Sequence, residues 1–317
     1  MTWLIADIGG THARFALYHN GAIQNPVIFK ARDYPQLEHA VQAYLSSQKI
    51  SVTKVVFAVA ATILPHETIH FINHPAWDFD PKALQAKMGF EIFHMMNDFE
   101  AIAYGLYDLC ADDLLTIVPK PTFANKPRLA IGAGTGLGVA TSLVLNNKVT
   151  VLGGEGGYVT LPALTNEDLD IFSWLKNDLH IPHISAERLL SGDGLFNIYR
   201  ALCARQKISP SLNTPENITK AAENGDILAV ESFGFFCRYL GVIASNAALT
   251  TGAFGGVYLT GSILSSHHQF VMASAFAAYF KNKGRGTYYL EDIPVHLVIT
   301  PYPAFVGIKR FIADQAA

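Results

Sequence analysis

Two glycine-rich turns, each lying between two apolar segments, constrain the fold more than any other feature of the sequence. The first turn follows Asp7 in the order Asp-Ile-Gly-Gly-Thr, and the second covers residues 132–138 in the order Gly-Ala-Gly-Thr-Gly-Leu-Gly. Residues 13–18 and 139–145 follow these turns and consist of strand-forming or alternating side chains. Each turn is therefore predicted to be the tip of a β-hairpin.

A hairpin tip differs from the phosphate loops that open a helix. Rossmann and P-loop turns place phosphate at the N-terminus of the next helix, and no helical pattern follows either turn here. The second turn also lacks the G-x-G-x-x-G spacing, because the sixth residue from Gly132 is Leu137. Successive amides in a glycine tip still form an anion-binding concavity. Two tips would suit two sides of one polyphosphate, although either alone could be an ordinary turn.

The length and the charge of the chain indicate how many domains it has and which partners it does not bind. It has 317 residues, half of them hydrophobic, which is enough for two domains with separate cores. The formal net charge is −3 and the basic residues are scattered, so we expect neither nucleic acid nor an anionic membrane as a partner. Residues 229–249 are apolar but contain Glu231 and Arg238, which favours a buried helix over a membrane span.

The N-terminus and the cysteines indicate the compartment. No positive segment precedes the first apolar residues, and Asp7 comes too early for a signal peptide. Cys110, Cys203 and Cys237 are odd in number and widely spaced, which is typical of reduced thiols. We therefore predict a soluble, cytoplasmic protein.

A repeated order of strands divides the chain. Residues 118–127 carry three prolines without periodicity and mark a boundary between the two sets of strands. The strands of the two sets are predicted at 3–8, 13–18, 24–30, 128–132, 139–145 and 148–152. The sequence thus predicts a small α/β domain over 1–118, joined by a C-terminal helix at 301–317, and a large α/β domain over 119–300.

The other predicted elements alternate in the first domain and are mainly helical in the second. Helices are predicted at 37–45, 81–88, from 99, 166–179, 186–190, 194–205, 215–223, 227–249, 268–280 and from 304. Further strands are predicted at 54–60, 92–96, 257–260 and 295–300. This alternation favours an α/β fold.

Asp98 stands where a predicted strand meets a predicted helix. The carboxyl ends of strands are the positions at which α/β sheets present functional side chains, so Asp98 is a candidate general base. The alternative is that Asn97 or Asp98 caps the helix, with Glu100 completing a capping box. The local pattern leaves both interpretations open.

Two glutamates lie in other candidate positions. Glu155 is flanked by the glycine pairs 153–154 and 156–157, where a carboxylate could accept hydrogen bonds from ligand hydroxyls or could lie in a solvated turn. Glu187 is more ambiguous, because Ser185 is typical of a helix N-cap and an acid two residues later is typical of the first turn.

Three histidines recur at every fourth residue, at His66, His70 and His74. The residues between them favour a strand, and alternation along a strand would spread the three side chains too far for one tetrahedral metal site. We therefore expect an exposed strand face here rather than a metal site.

Together these motifs resemble a known family. The chain is similar over nearly its whole length to bacterial glucokinases of the enteric type, which belong to the hexokinase, actin and Hsp70 ATPase superfamily. The order and spacing of several segments carry this resemblance: 7–11 with 13–14, 73–74 with Trp77, 97–99, 132–138, 154–157, 185–188, 190–192 and 251–257.

The resemblance implies two RNase H-like (actin-like ATPase) domains with an interdomain cleft, and ATP-dependent phosphorylation of glucose at its 6-hydroxyl, feeding glycolysis. It implies that Asp98 takes the proton from this hydroxyl, and that Mg²⁺ is bound by Asp7 through water. A homodimer is expected on the same analogy. Asn97, Glu155 and Glu187 would hold the other sugar hydroxyls. ATP would lie against Gly9, Gly10, Thr11, Gly134, Thr135 and Gly136, with Gly261 and Ser262 beside the adenosine.

The chain departs from this family near the implied sugar site. Tyr158 and Thr160 stand where the family has histidine and aspartate, and His12 replaces an asparagine. The family's histidine touches the sugar near C1 and C2, so we expect Tyr158 to contact the sugar. Losing one hydrogen bond costs about 0.5–1.5 kcal/mol, whereas losing a general base costs about 10²–10⁴ in rate.

Retained kinase activity with altered sugar affinity or sugar preference is therefore expected. The alternatives are a kinase for another hexose or an N-acetylhexosamine, and a sugar-binding regulator without catalysis.

Overall fold

Two β-sheets with the same strand order form the frame of the protein. The computed structural model describes residues 1–64, 68–71 and 74–316. The chain divides into two compact units, which consist of Met1–Cys110, Val144–Gly153 and Thr300–Ala317 for the first, and Ala111–Leu143 and Gly154–Ile299 for the second. The domains predicted from the sequence, 1–118 with 301–317 and 119–300, stay predictions.

Strands and helices alternate along much of the chain. The strands are β1 (Thr2–Ile8), β2 (His12–His19), β3 (Ala22–Lys30), β4 (Lys54–Val59), β5 (Ile92–Asn97), β6 (Leu114–Val118), β7 (Arg128–Ala133), β8 (Leu137–Leu145), β9 (Lys148–Gly154), β10 (Val257–Thr260) and β11 (Val295–Val298). The helices are α1 (Leu37–Gln48), α2 (Pro81–Met88), α3 (Asp98–Gly105), α4 (Asn166–Asp178), α5 (Gly192–Arg205), α6 (Pro215–Glu223), α7 (Ile227–Thr251), α8 (Ser262–Ser266), α9 (His268–Ala273), α10 (Phe276–Lys281), α11 (Thr287–Leu290) and α12 (Pro303–Ala316).

The two sheets repeat one topology. The first has the order β3-β2-β1-β4-β5, in which β1 is antiparallel to β2 and parallel to β4. The second has the order β9-β8-β7-β10-β11, with β6 added antiparallel beyond β11. Here β7 is antiparallel to β8 and parallel to β10. The repeat and the RNase H-like α/β class predicted from the sequence are confirmed, and both glycine turns are hairpin tips.

Helix α7 forms the centre of the core of the second unit. It is long and apolar enough to cross a membrane by length and composition. Most of its large side chains are nevertheless buried within the unit, and Phe233, Phe236, Tyr239 and Leu240 have no exposed surface. The prediction of a buried core helix is therefore confirmed. Burial of each such side chain contributes about 1.5–3 kcal/mol to the stability of the fold.

Some predicted elements differ from the structure. The helix predicted over 268–280 is interrupted between α9 and α10, where the Ser274 hydroxyl donates to Val271 O at 2.7 Å and accepts from Phe276 N at 3.3 Å. A serine side chain that bonds to nearby backbone competes with the helix in this way. The helix predicted over 186–190 is a single 3-10 turn at Ala186–Arg188.

The histidine-rich segment is not a strand in its described residues. His66 lies outside the described residues, and within 68–71 only Ile69 forms an isolated bridge, to Phe79. His70 Nδ1 lies 2.6 Å from a carboxylate oxygen of Asp78, while the His74 ring packs edge-on against a tryptophan. The strand prediction is therefore wrong for the described residues, because they contain one isolated bridge and no strand.

Helices α3 and α12 pack closely within the first unit. Gly105 and Gly307 lie at their contact, where the backbones meet without intervening side chains. A Cβ at Gly307 would overlap the Ala101 carbonyl oxygen and lie 2.9 Å from Gly105 N. Arg310 of α12 adds an ion pair with Asp108 at 3.0 Å. This packing fixes the position of α3, the helix that begins at Asp98.

We predict that Gly307→Ala lowers the free energy of unfolding by about 1–3 kcal/mol, because the added methyl overpacks the contact between the two helices. Gly234→Ala in α7 is the matched control, since nothing lies within 4 Å of its Cβ position. This control is expected to be neutral or to stabilise by up to about 1 kcal/mol, the difference in helix propensity. Urea unfolding measures both variants. If Gly307→Ala had the same free energy of unfolding as the wild-type protein, this would contradict the close approach of α3 and α12.

Candidate active site

The first glycine tip is a tight turn at one edge of the first sheet. Gly9 N donates to His12 O at 2.9 Å, and Thr11 O accepts from Ala31 N at 2.9 Å. These two bonds close the tip and join it to the segment after β3. The predicted phosphate-binding residues Gly9, Gly10 and Thr11 therefore form one short connection between β1 and β2.

The same edge of the sheet carries Asn97 and Asp98. In the parallel strands β1, β4 and β5, Ile8 is in register with Val59, and Val59 with Asn97. Two strand spacings separate Ile8 from Asn97, which is about 10 Å. The carboxyl ends of these strands therefore bring the first tip and the candidate general base to one edge, as expected for a functional site in such a sheet.

Asp7 is paired across the first hairpin. Its Oδ2 accepts from Arg14 Nη1 at 2.9 Å, because Asp7 and Arg14 face each other in the register of β1 and β2. Burial raises the pKa of the Asp7 carboxyl, and Arg14 opposes this shift. The side chain is 20% exposed, so a water-bound ligand can still reach it. This pair was not predicted from the sequence, although the register of the hairpin places the two residues opposite each other.

The start of α3 resolves the question of the helix cap. Asn97 Oδ1 accepts from Phe99 N at 2.8 Å, and Glu100 Oε2 accepts from Asn97 N at 3.1 Å, which completes a capping box. Asn97 Nδ2 donates to Ala61 O at 3.2 Å. The cap is therefore Asn97. Asp98 is the first helical residue, where the helix dipole stabilises a negative charge.

The second glycine tip is held by the start of α5. Gly134 N donates to Gly136 O at 2.9 Å, and Gly134 O accepts from Gly192 N at 2.9 Å. Ser191 caps α5 by accepting from Gly194 N at 3.0 Å. The predicted phosphate-binding residues 134–136 therefore lie beside a helix N-terminus that sequence analysis did not place there.

Gly261 and Ser262 lie next to this tip. Strand β10 runs parallel to β7 with Thr260 in register with Gly132, so the ends of the two strands are neighbours. Gly261 has a φ of +107°, and a Cβ there would overlap the Ala133 carbonyl oxygen. Only glycine fits this position. The structure thus brings together the predicted nucleotide-binding residues of the second unit.

The glycine-rich segment around Glu155 lies against the start of β8. Glu155 forms a parallel bridge with Val139, and a Cβ at Gly156 would come within 2.6 Å of the Val139 Cβ. A Cβ at Gly157 would overlap the Leu137 carbonyl oxygen. The glycines therefore let the Glu155 segment approach the strand that leaves the second tip.

Glu187 reaches the same place from another part of the chain. Its Oε2 accepts from Leu137 N at 3.0 Å, across 50 residues of sequence. The 3-10 turn that carries it packs against the 3-10 turn Gly156–Tyr158, and Ala186 N donates to Val159 O at 2.8 Å. Glu187 is therefore not the first-turn acid of a long helix but a contact to the glycine tip.

Tyr158 completes this cluster of predicted sugar-binding residues. Its side chain is nearly half exposed, and burial raises the pKa of its phenol, as do the negative charges of Glu187 and Glu155. The phenol is therefore protonated at neutral pH and can donate a hydrogen bond. Thr160 Oγ1 lies 2.9 Å from His183 Nε2, a histidine that sequence analysis missed.

The two units contain separate parts of the predicted set of residues. The first unit brings together the tip 9–11, Asp7, Asn97 and Asp98, and the second brings together the tip 134–136, Gly261, Ser262, Glu155, Tyr158 and Glu187. Within residues 1–64, 68–71 and 74–316, no group of three or more His, Cys, Asp or Glu side chains converges to hold a metal ion.

Comparisons with known proteins identify the family of the chain. A family model described as Glucokinase matches residues 4–315. The glucokinase of Pectobacterium atrosepticum is 36% identical over 312 residues, which cover 98% of this chain and 96% of the relative. The crystal structure of a glucokinase from an Antarctic psychrotroph has a TM-score of 0.83 at 29% identity and covers 99% of both chains.

A more distant structure supports the fold alone. A ROK family glucokinase from Streptomyces griseus, solved in complex with glucose and AMPPNP, has a TM-score of 0.65 at 19% identity, with coverage of 99% of this chain and 100% of that one. The family match over nearly the whole chain, together with the 36% identity to a bacterial glucokinase, shows that this protein belongs to the glucokinase family, the enzymes that phosphorylate glucose.

Proposed function

We propose that this protein transfers the terminal phosphoryl group of ATP to the 6-hydroxyl of glucose, and so supplies glycolysis. The observation that carries the proposal is the alignment of Ile8, Val59 and Asn97 across three parallel strands. It supports a site in which one glycine tip binds phosphate while Asp98 meets the acceptor at the same sheet edge. Membership of the glucokinase family and the complex of the Streptomyces griseus relative with AMPPNP support the choice of ATP.

In this proposal Asp98 accepts the proton of the 6-hydroxyl as its oxygen bonds to the γ-phosphorus. The bond from this phosphorus to the oxygen that bridges the β- and γ-phosphates breaks, and ADP leaves with the electron pair. Little covalent chemistry falls to the protein in such a transfer, which depends on positioning and on charge stabilisation. The amides of Gly10, Thr11, Thr135 and Gly136 would supply that stabilisation, because Gly9 N and Gly134 N already donate within their tips. Asn97, Glu155, Tyr158 and Glu187 would orient the sugar.

The carboxylate of Asp7 fits a Mg²⁺ ion bound through water. Arg14 occupies one side of this carboxylate, and its partial exposure leaves room for a bridging water. Mg²⁺ keeps several waters and binds through phosphate oxygens in most nucleotide sites, so a full cage of protein ligands is not required. When bound, the ion would neutralise charge on the phosphates.

The cysteines suit a reducing cytoplasm, which we propose as the location of the enzyme. Cys203 and Cys237 are buried, and burial raises the pKa of the Cys237 thiol to about 12, so it stays protonated and unreactive.

We also propose that the protein forms a homodimer, by analogy with the family. Sedimentation velocity would test this oligomeric state.

We predict that Asp98→Asn lowers kcat for glucose phosphorylation by about 10²–10⁴, because an amide cannot accept the proton. ADP affinity should stay at the wild-type value, since the glycine tips are unchanged. The control is Asp80→Asn at the N-cap of α2, where Asn caps as well as Asp. A coupled assay for ADP release measures turnover. Near-normal kcat in Asp98→Asn would show that another group accepts the proton.

We predict that Tyr158→Phe raises the KM for glucose about two- to tenfold while kcat is largely kept, because one neutral hydrogen bond to the sugar is lost. The same assay over glucose, mannose, fructose and N-acetylglucosamine tests the alternative that Tyr158 selects another hexose. If mannose, fructose or N-acetylglucosamine has a higher kcat/KM than glucose, glucose is not the preferred acceptor. Sugar binding without ADP release from any sugar would support a regulator instead.

A further inference from the structure

The carboxylate of Glu187, a predicted sugar ligand, also binds the backbone beside the second glycine tip. Its Oε2 accepts from the amide of Leu137, the first residue after the tip. An ionised carboxylate has about four acceptor positions, so a bond to Leu137 leaves capacity for a sugar hydroxyl. In the proposed site, Glu187 would therefore contact both the sugar and the segment that binds the nucleotide.

The tip is shaped around this carboxylate. A Cβ at Gly136 would lie 2.5 Å from Glu187 Oε2, closer than real Cβ contacts, so any side chain at this position would displace the carboxylate. At Gly134, two residues earlier in the same tip, nothing lies within 4 Å of the Cβ position. Only the Glu187 carboxylate lies within 4 Å of the Cβ position at Gly136, so a methyl added there acts on Glu187 and not on the backbone of the tip.

The surroundings of Glu187 connect it to the sugar cluster. Its turn packs on the turn Gly156–Tyr158, and its charge acts on the Tyr158 phenol together with that of Glu155. A hydroxyl bound by these groups would restrict the rotamers of Glu187. If the sugar has already restricted the Glu187 carboxylate, less conformational entropy is lost when the carboxylate holds the tip against the nucleotide. Binding of the sugar then strengthens binding of the nucleotide without a large movement.

We propose that Glu187 is a positioning residue that couples sugar binding to nucleotide binding within the second unit, through its hydrogen bond to Leu137 N. This inference rests on the proposed function, because it takes a hexose and a nucleotide as the two ligands. Linkage requires the coupling to be reciprocal: glucose tightens nucleotide binding by the same factor by which nucleotide tightens glucose binding.

Calorimetry with Mg²⁺ and AMPPNP, with and without saturating glucose, measures this factor in the absence of turnover. In the wild-type protein we expect glucose to tighten AMPPNP binding about fivefold or more, the lower end of ordinary coupling between sites. In Gly136→Ala the factor falls to about one, although the glutamate is still present, because the methyl displaces its carboxylate. Glu187→Ala gives the same loss and serves as a second variant if Gly136→Ala does not fold.

Gly134→Ala is the matched control in the same tip. It is expected to keep the wild-type factor even if AMPPNP itself binds more weakly, because its methyl enters open space. A purely structural role for Glu187 would weaken both ligands and leave the factor unchanged.

The proposed function is tested separately by wild-type turnover of glucose. If glucose is phosphorylated but the wild-type factor is one, or if Gly136→Ala keeps the wild-type factor, the coupling is overturned and the proposed function stands. If wild-type protein neither binds nor phosphorylates glucose, the proposed function fails, and the coupling fails with it.

Discussion

Close backbone approach to the start of β8 is the constraint on which the second part of the site depends. Gly156 and Gly157 lie where side chains would meet Val139 and Leu137, and Gly136 lies against the carboxylate of Glu187. Because these contacts exclude side chains, the tip, the Glu155 segment and the Glu187 turn are positioned before any ligand arrives. Groups that need no reorganisation during the reaction stabilise charge most effectively.

In the first unit, different contacts position the site residues. Its glycine tip and Asp98 are placed by the register of β1, β4 and β5, and the helix that begins at Asp98 is fixed by α12. The register of the sheet sets the positions of the glycine tip and Asp98 along the strands. The contact at Gly307 sets the position of α3. Both sheets keep the same strand order, so one topology presents a glycine tip twice and carries different acidic groups beside each copy.

Local patterns in the sequence predicted much of this architecture. Alternation and apolar runs found the two sets of three strands, and the placement of turns found both glycine tips, because these signals lie within a few residues of each other. Strand β6 was missed because it pairs with β11, which follows it by almost the whole second unit. The break at Ser274 was missed because it depends on side-chain bonds to backbone rather than on periodicity.

The partners of the site residues were harder to predict than the residues themselves. Asp98 and Glu155 stood out by their position at the end of a strand and among glycines, but the bond from Leu137 to Glu187 joins residues 50 positions apart and leaves no local signal. The pair of Asp7 and Arg14 was within reach, since the hairpin register places them opposite each other.

A crystal structure of this protein with glucose, Mg²⁺ and AMPPNP would show where the phosphates and the 6-hydroxyl bind. We expect phosphate oxygens within hydrogen-bond distance of amides in both tips, 9–11 and 134–136, and the glucose 6-hydroxyl within hydrogen-bond distance of the Asp98 carboxylate. Phosphates bound by neither tip, or a 6-hydroxyl bound away from Asp98, would contradict it.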